Sequence, residues 1–166
     1  MISLDIDTVR FPNGTTGELE MVRHPGASAV VPFLDDPHGP DPRILLIRQH
    51  RHASGGYLYE IPAGRLDEGE SAEGCALREL KEETGYSAEA LERLTTFFTT
   101  PGFTDEKIHL FMATGLAAGD STPEPDEILE IHTMQLSTAL GMVKSGKIID
   151  GKSMLGILLS AARTGK

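Results

Sequence analysis

Cys75 is the only cysteine in the chain, so no intramolecular disulfide can form, and its expected role is that of a small buried side chain. Tryptophan is missing and aromatic residues make up only 5%, yet 39% apolar and 24% charged residues describe an ordinary soluble domain. Basic residues are few: 15 Lys and Arg stand against 25 Asp and Glu, a formal net charge of −10. That balance argues against a nucleic-acid surface and against an anionic membrane. An anionic ligand would need metal ions or a local arginine cluster to be attracted. Long apolar runs are also lacking; the longest, residues 154–162, is too short to span a bilayer. The opening MISLDIDTVRF has no basic n-region and no apolar h-region, so no signal peptide is expected and a cytoplasmic protein is the simplest expectation. There is no repeat, no low-complexity segment and no linker. Residues 1–166 are expected to form one domain, large enough to bury about 70% of its unfolded surface.

What is present centres on GRLDEGESAEGCALRELKEETGY, residues 64–86. Gly64 and Gly69 suit a loop with unusual backbone angles, Ser71 suits a helix N-cap, and Gly85 suits a left-handed C-terminus. The spacing predicts a helix over 72–84. At about 100° per residue, Leu77, Leu80 and Thr84 fall on one side and can pack on a core. Glu79, Glu82 and Glu83 fall together on the opposite side, which they share with the small residues Ala72, Cys75 and Ala76. Carboxylates a turn apart repel unless something neutralises them. Hard cations such as Mg²⁺ take oxygen ligands and substrate phosphates, so a magnesium–diphosphate site fits. A solvated acidic face with an ordinary Arg78–Glu82 pair fits the bare REL-x-EE string equally well.

The rest of the chain reads mostly as strands. Residues 2–10 alternate apolar and polar, Asn13-Gly14 signals a hairpin, and residues 18–23 alternate again with Leu19 and Met21 on one side. This hairpin, residues 1–24, has too little apolar area to stand alone and must lie on the body or on a second subunit. Further strands are expected over 27–34, 43–51, 57–61, 91–100, 107–116 and 128–135. Two helices are expected around 140–143 and 154–162. The fold class is therefore mixed α/β.

The segment 64–86 resembles the Nudix box, G-x5-E-x7-R-E-U-x-E-E-x-G-U with U bulky and apolar; only Tyr86 at the last U is a soft departure. Seven fixed identities at ordinary residue usage coincide by chance roughly once in 10⁸ positions. The resemblance implies the Nudix fold, an α/β/α sandwich with a mixed sheet and here an N-terminal β-hairpin. The flanking LIRQHR…YLYEIPAG, and Pro101 fifteen residues beyond Tyr86, look like the ADP-ribose pyrophosphatase branch. Without the resemblance, Pro101 would also serve as a strand terminator, and Arg48 and Arg51 as a solvated strand end.

For function, the resemblance implies Mg²⁺-dependent hydrolysis of ADP-ribose to AMP and ribose 5-phosphate, with Mn²⁺ as a substitute. Another nucleoside diphosphate sugar, GDP-mannose or ADP-glucose, is the alternative, and a non-catalytic ADP-ribose sensor is a third reading. Ala63 (through its carbonyl), Glu79, Glu82 and Glu83 are the implied metal ligands. Gly64, Glu70 and Gly85 are structural positions of the box. Arg51, Arg48, Glu60, Pro101 and Gly102 are the implied substrate contacts. The implied catalytic residues are Arg78, Glu82 and Glu127, the last as general base from an acidic loop before the final strand, with Glu124 second in line and a box glutamate as the remaining alternative. The branch also implies a homodimer through the N-terminal arm.

Overall fold

The computed structural model describes residues 2–120 and 129–166. Among these residues nine strands and three α-helices run in the order β1 (Ser3–Arg10), β2 (Thr16–Arg23), β3 (Ala27–Pro32), β4 (Arg43–Arg51), β5 (Gly56–Glu60), β6 (Ala63–Arg65), α1 (Ala72–Thr84), β7 (Tyr86–Phe98), β8 (Lys107–Ala118), β9 (Leu129–Gln135), α2 (Leu136–Lys144) and α3 (Gly151–Thr164). Three sheets result: the β1–β2 hairpin, a four-stranded sheet ordered β6-β3-β8-β7, and a three-stranded sheet ordered β5-β4-β9. Within the four-stranded sheet β3 and β8 pair in parallel and the other neighbours antiparallel, so that sheet is mixed.

The alternating faces of β3 explain the layers. Val30 looks toward α1, where Ala72, Ala76 and Leu80 pack with Phe111 and Ala113. Ala29 and Val31 look the other way, into the larger cluster of Leu110, Ile61, Ile157 and Ala161 that seats α3, with Leu136 and Ala139 of α2 beside it. The sandwich expected from the resemblance is therefore present, α1 on one face of the sheet and α2 and α3 on the other. No helix among the described residues is long and apolar enough to cross a membrane.

Two sequence expectations change, the start of β7 and the buried stripe of α1. The strand expected over 57–61 is β5, and beyond Ile61-Pro62 a further short strand, β6, joins a different sheet. The strand expected from 91 begins at Tyr86, directly after the helix. Leu77 is 39% exposed, whereas Glu79 and Glu83 are buried at 8% and 2%. The buried stripe of α1 thus runs through Ala72, Ala76 and Leu80 and takes in two carboxylates, because a polar cleft and not solvent lies beside it. In the hairpin, pairing of Ile6 with Glu20 and Asp5 with Met21 puts the apolar residues of β1 on the face opposite Leu19 and Met21. The hairpin meets the body through the Val22–Thr104 bridge and through Arg23, which is ion-paired to Asp105 as well as to Asp5 and Asp7.

Candidate active site

Ser71 caps α1 by accepting from the Gly74 amide at 3.0 Å, and Gly85 ends it at φ 77°. The helix so bounded presents Arg78 to three carboxylates and a loop carbonyl. Its Nε and Nη2 fork onto the two oxygens of Glu70 at 2.9 and 3.0 Å. Nη1 donates to Glu79 Oε1 at 2.6 Å and to Glu82 Oε2 at 3.0 Å, and Nη2 also reaches the Arg65 carbonyl at 3.0 Å. Glu70 further accepts from the Asp67 amide at 3.0 Å, so it ties the loop to the helix. Glu83 Oε2 accepts from the Ala63 amide at 3.0 Å, which fixes β6 against α1.

Gly64 sits in β6, and a Cβ there would stand 1.8 Å from Glu79 Oε1. Its backbone angles are those of an ordinary strand; only Gly69 of the two loop glycines has positive φ, at 79°. The expectation for Gly64 is thus corrected from backbone freedom to space. The Cys75 thiol lies under the same loop, 3.3 Å from the Arg65 carbonyl, and burial, aided by Glu70, pushes its pKa to about 11. It is a packed thiol and not a nucleophile.

Gly64, Glu70, Arg78, Glu79 and Glu82 line a cleft of about 1550 Å³ together with Ala63, Leu66, Phe97, Thr99, Glu106 and Ile108. Its other wall carries Arg51 from β4, and Asp150, Gly151 and Lys152 from the start of α3. Glu60, 1% exposed, holds that wall together. Arg51 donates to its two oxygens at 2.8 and 2.9 Å, and Lys152 donates to Oε2 at 2.5 Å. Burial raises the Glu60 pKa, but Arg51 and Lys152 outweigh it, and the carboxyl stays below its ordinary value. Glu60 in turn raises the pKa of Arg51.

Of the sequence-derived candidates, the structure gathers Ala63, Gly64, Glu70, Arg78, Glu79, Glu82, Glu83, Glu60 and Arg51 around one cleft. Arg48 does not join them. An odd number of residues from Arg51, it lies on the other face of β4, pairs with Glu130 at 3.0 Å, and stacks 4.2 Å over the Tyr57 ring. Pro101 and Gly102 are exposed on the β7–β8 connection and do not line this chain's cleft. Glu127 and Glu124 fall outside the described residues. Sequence reasoning missed Lys152 and Asp150. Both stand about 90 residues from Glu60 in a helix start that carries no motif.

On the box side three carboxylates meet the Arg78 guanidinium and a fourth, Glu83, is held by the Ala63 amide, leaving an excess of negative charge. Among the described residues no three His, Cys, Asp or Glu side chains close on one point as a metal cluster. Glu79 and Glu82 instead meet at Arg78. The donor chemistry still suits a hard divalent cation: carboxylate oxygens and a half-buried backbone carbonyl, with surplus negative charge to neutralise.

The Arg78 fork, first, and the Asp67 amide hold the Glu70 pKa at about 2, against an ordinary 4.5. A depressed carboxyl stabilises the fold above its unfolded pKa, and that stability is lost as pH falls through the folded value. Thermal melting of Glu70→Gln should therefore lie below wild type by a constant margin above pH about 5, with the margin closing between about 4.5 and 2. A margin independent of pH would show that the Glu70 charge contributes nothing.

A NUDIX domain model matches residues 23–154. The chain is 40% identical over 159 residues to an ADP-ribose pyrophosphatase of Bacillus subtilis (strain 168), covering 95% of this chain and 83% of that one. It is 39% identical, over the same shares, to a methanol dehydrogenase activator of Bacillus methanolicus. A solved structure, an ADP compounds hydrolase, superposes with a TM-score of 0.82 over 99% of this chain and 94% of its own at 22% identity, so the fold is shared.

Proposed function

The chain belongs to the Nudix family, and on that premise we propose that it hydrolyses the diphosphate bond of ADP-ribose to AMP and ribose 5-phosphate with magnesium. One observation carries the reading. A single cleft sets the buried Glu79, with Glu82, on one wall and the cationic Arg51 and Lys152 on another, while the buried Glu83 backs the first wall through its bond to the Ala63 amide. Glu79, Glu82, Glu83 and the Ala63 carbonyl would hold the cation. When bound, it supplies neutralisation of the charge on the phosphate oxygens. Arg78 keeps Glu70, Glu79 and Glu82 in one alignment, and Arg51 is the donor offered to a phosphate.

Hydrolysis adds the oxygen of water to one phosphorus, breaks the bond from that phosphorus to the bridging oxygen, and passes a proton to a base. Glu127 is the proposed base, because carboxylates engaged by a cation are poor bases. Glu127→Gln should lower kcat by about 10²-fold while KM stays within a few-fold. Full activity of that variant beside a dead Glu124→Gln would move the role to Glu124.

The test of the function is a panel of diphosphate compounds incubated with Mg²⁺, with products identified by mass. ADP-ribose should be the best substrate, giving AMP. No turnover of any member would sink the reading. The arm of residues 1–24 is proposed to join two copies, because Leu4 and Ile6 are 69% and 66% exposed on a hairpin with little core of its own. Light scattering should give a dimer mass at micromolar concentration, and a monomer mass would count against the arm.

A further inference from the structure

Lys152 reaches the cleft from the first turn of α3, 92 residues beyond Glu60 in the chain. Its side chain is 13% exposed, and its ammonium donates to Glu60 at 2.5 Å and to Asp150 Oδ2 at 3.0 Å. A buried carboxylate forked by one arginine is a neutral pair. Lys152 adds a second cation to it. Asp150 is already engaged in starting α3, accepting from the Ser153 amide at 3.0 Å and the Ser153 hydroxyl at 2.5 Å. That hydroxyl accepts from the Ile61 amide at 2.8 Å, so the start of α3 also pins the chain between β5 and β6.

On the box side, Arg78 directs its donors to Glu70, Glu79, Glu82 and the Arg65 carbonyl. On the wall of β4 and α3, the Arg51 Nη1 makes no hydrogen bond among the described residues, and the Arg51 side chain is 41% exposed. Two bonds leave Lys152 one further N–H. These are the cationic donors that this wall can offer.

We infer that Lys152 is a positioning residue for the substrate's diphosphate, holding the Arg51–Glu60 fork in place and offsetting Asp150 so that the wall receiving a phosphate is not negative. The inference rests on the proposed diphosphatase reading of the cleft. Without Lys152, Arg51 and Glu60 cancel and Asp150 is left over, so the wall turns negative beside a helix that is already acidic. A dianionic substrate is then repelled while the carboxylates of α1 are untouched.

The test separates binding from chemistry. Lys152→Met should raise KM for ADP-ribose about tenfold, with kcat within about threefold. It should weaken calorimetric binding of the non-hydrolysable α,β-methylene-ADP-ribose, with Mg²⁺ present, by the same factor. Lys152→Arg, which keeps the charge, should bring both within about threefold of wild type. Melting curves check that both variants are folded. KM and affinity within twofold of wild type in folded Lys152→Met would overturn the inference and leave Lys152 as an anchor of α3. A loss that Lys152→Arg fails to restore would overturn it too. Lack of turnover by the wild type would sink only the diphosphatase reading, because the analogue titration needs no turnover and still decides the role of Lys152.

Discussion

Gly64→Ala is expected to fold and to lose turnover by about 10²-fold or more. The added methyl would meet Glu79 Oε1 at 1.8 Å and the rest of that carboxylate within 2.6 Å. Two responses are open. The β6 backbone can withdraw, but it is paired to β3 through Ser28 and fixed by the Glu83 bond to Ala63. The Glu79 side chain can swing instead, which costs less because only its far end must move. Overpacking of this kind costs about 1–3 kcal/mol, which lowers melting without abolishing the fold. The displaced carboxylate, however, leaves Arg78 Nη1 and the position proposed for a cation ligand by more than an ångström. Melting curves and steady-state rates measured together decide the matter. A variant that melts several degrees lower but turns over at the wild-type rate would mean that Glu79 is not needed where it stands.

Gly64 also shows how far the sequence could be read. Its place in the box was legible, but the reason for it was not. A glycine before a loop suggests backbone freedom, while the structure demands room for a side chain fifteen residues later. The limits of α1 were legible because capping is local: Ser71 and Gly85 act within their own turn. The bounds of β4 were legible as an apolar run with basic ends. The burial of Glu79 and Glu83 was not, because helix periodicity sends carboxylates outward and apolar residues inward. Leu77 ended up exposed for the same reason. A stripe can bury two acids only if another element supplies a polar cleft, and that element, the chain between β5 and β6, is outside the helix's own pattern. Lys152 is the extreme case. Its partner Glu60 is 92 residues away, and no spacing rule connects a lysine in a helix start to a glutamate at a strand end. In the hairpin, alternation identified both strands, but not that their apolar faces point in opposite directions, since register is set by the turn between Phe11 and Thr15.

Glu83→Gln should reduce turnover by on the order of 10³-fold and leave the protein folded, the loss expected when several kcal/mol of charge stabilisation disappears. Glutamine is nearly isosteric and its carbonyl can still accept from the Ala63 amide, so the bond at 3.0 Å that fixes β6 to α1 survives. What disappears is one negative charge at a position only 2% exposed, where solvent screens little. Removing a carboxylate from a crowded acidic site relieves repulsion, so the variant without added metal should melt at or above wild type. The decisive measurement is therefore the rise in melting temperature on adding Mg²⁺. A ligand that binds only the native state stabilises it by RT ln(1 + [L]/Kd), so a weaker site gives a smaller rise at the same concentration. Wild type should show a clear Mg²⁺-dependent rise, and Glu83→Gln little or none. Glu79→Gln should behave alike, with part of its effect passing through the 2.6 Å contact to Arg78. If Glu83→Gln lost activity but kept the full Mg²⁺-dependent rise, Glu83 would act on the chemistry rather than hold the cation. If it kept both, the acidic stripe of α1 would be structural and the ligand assignment would fall.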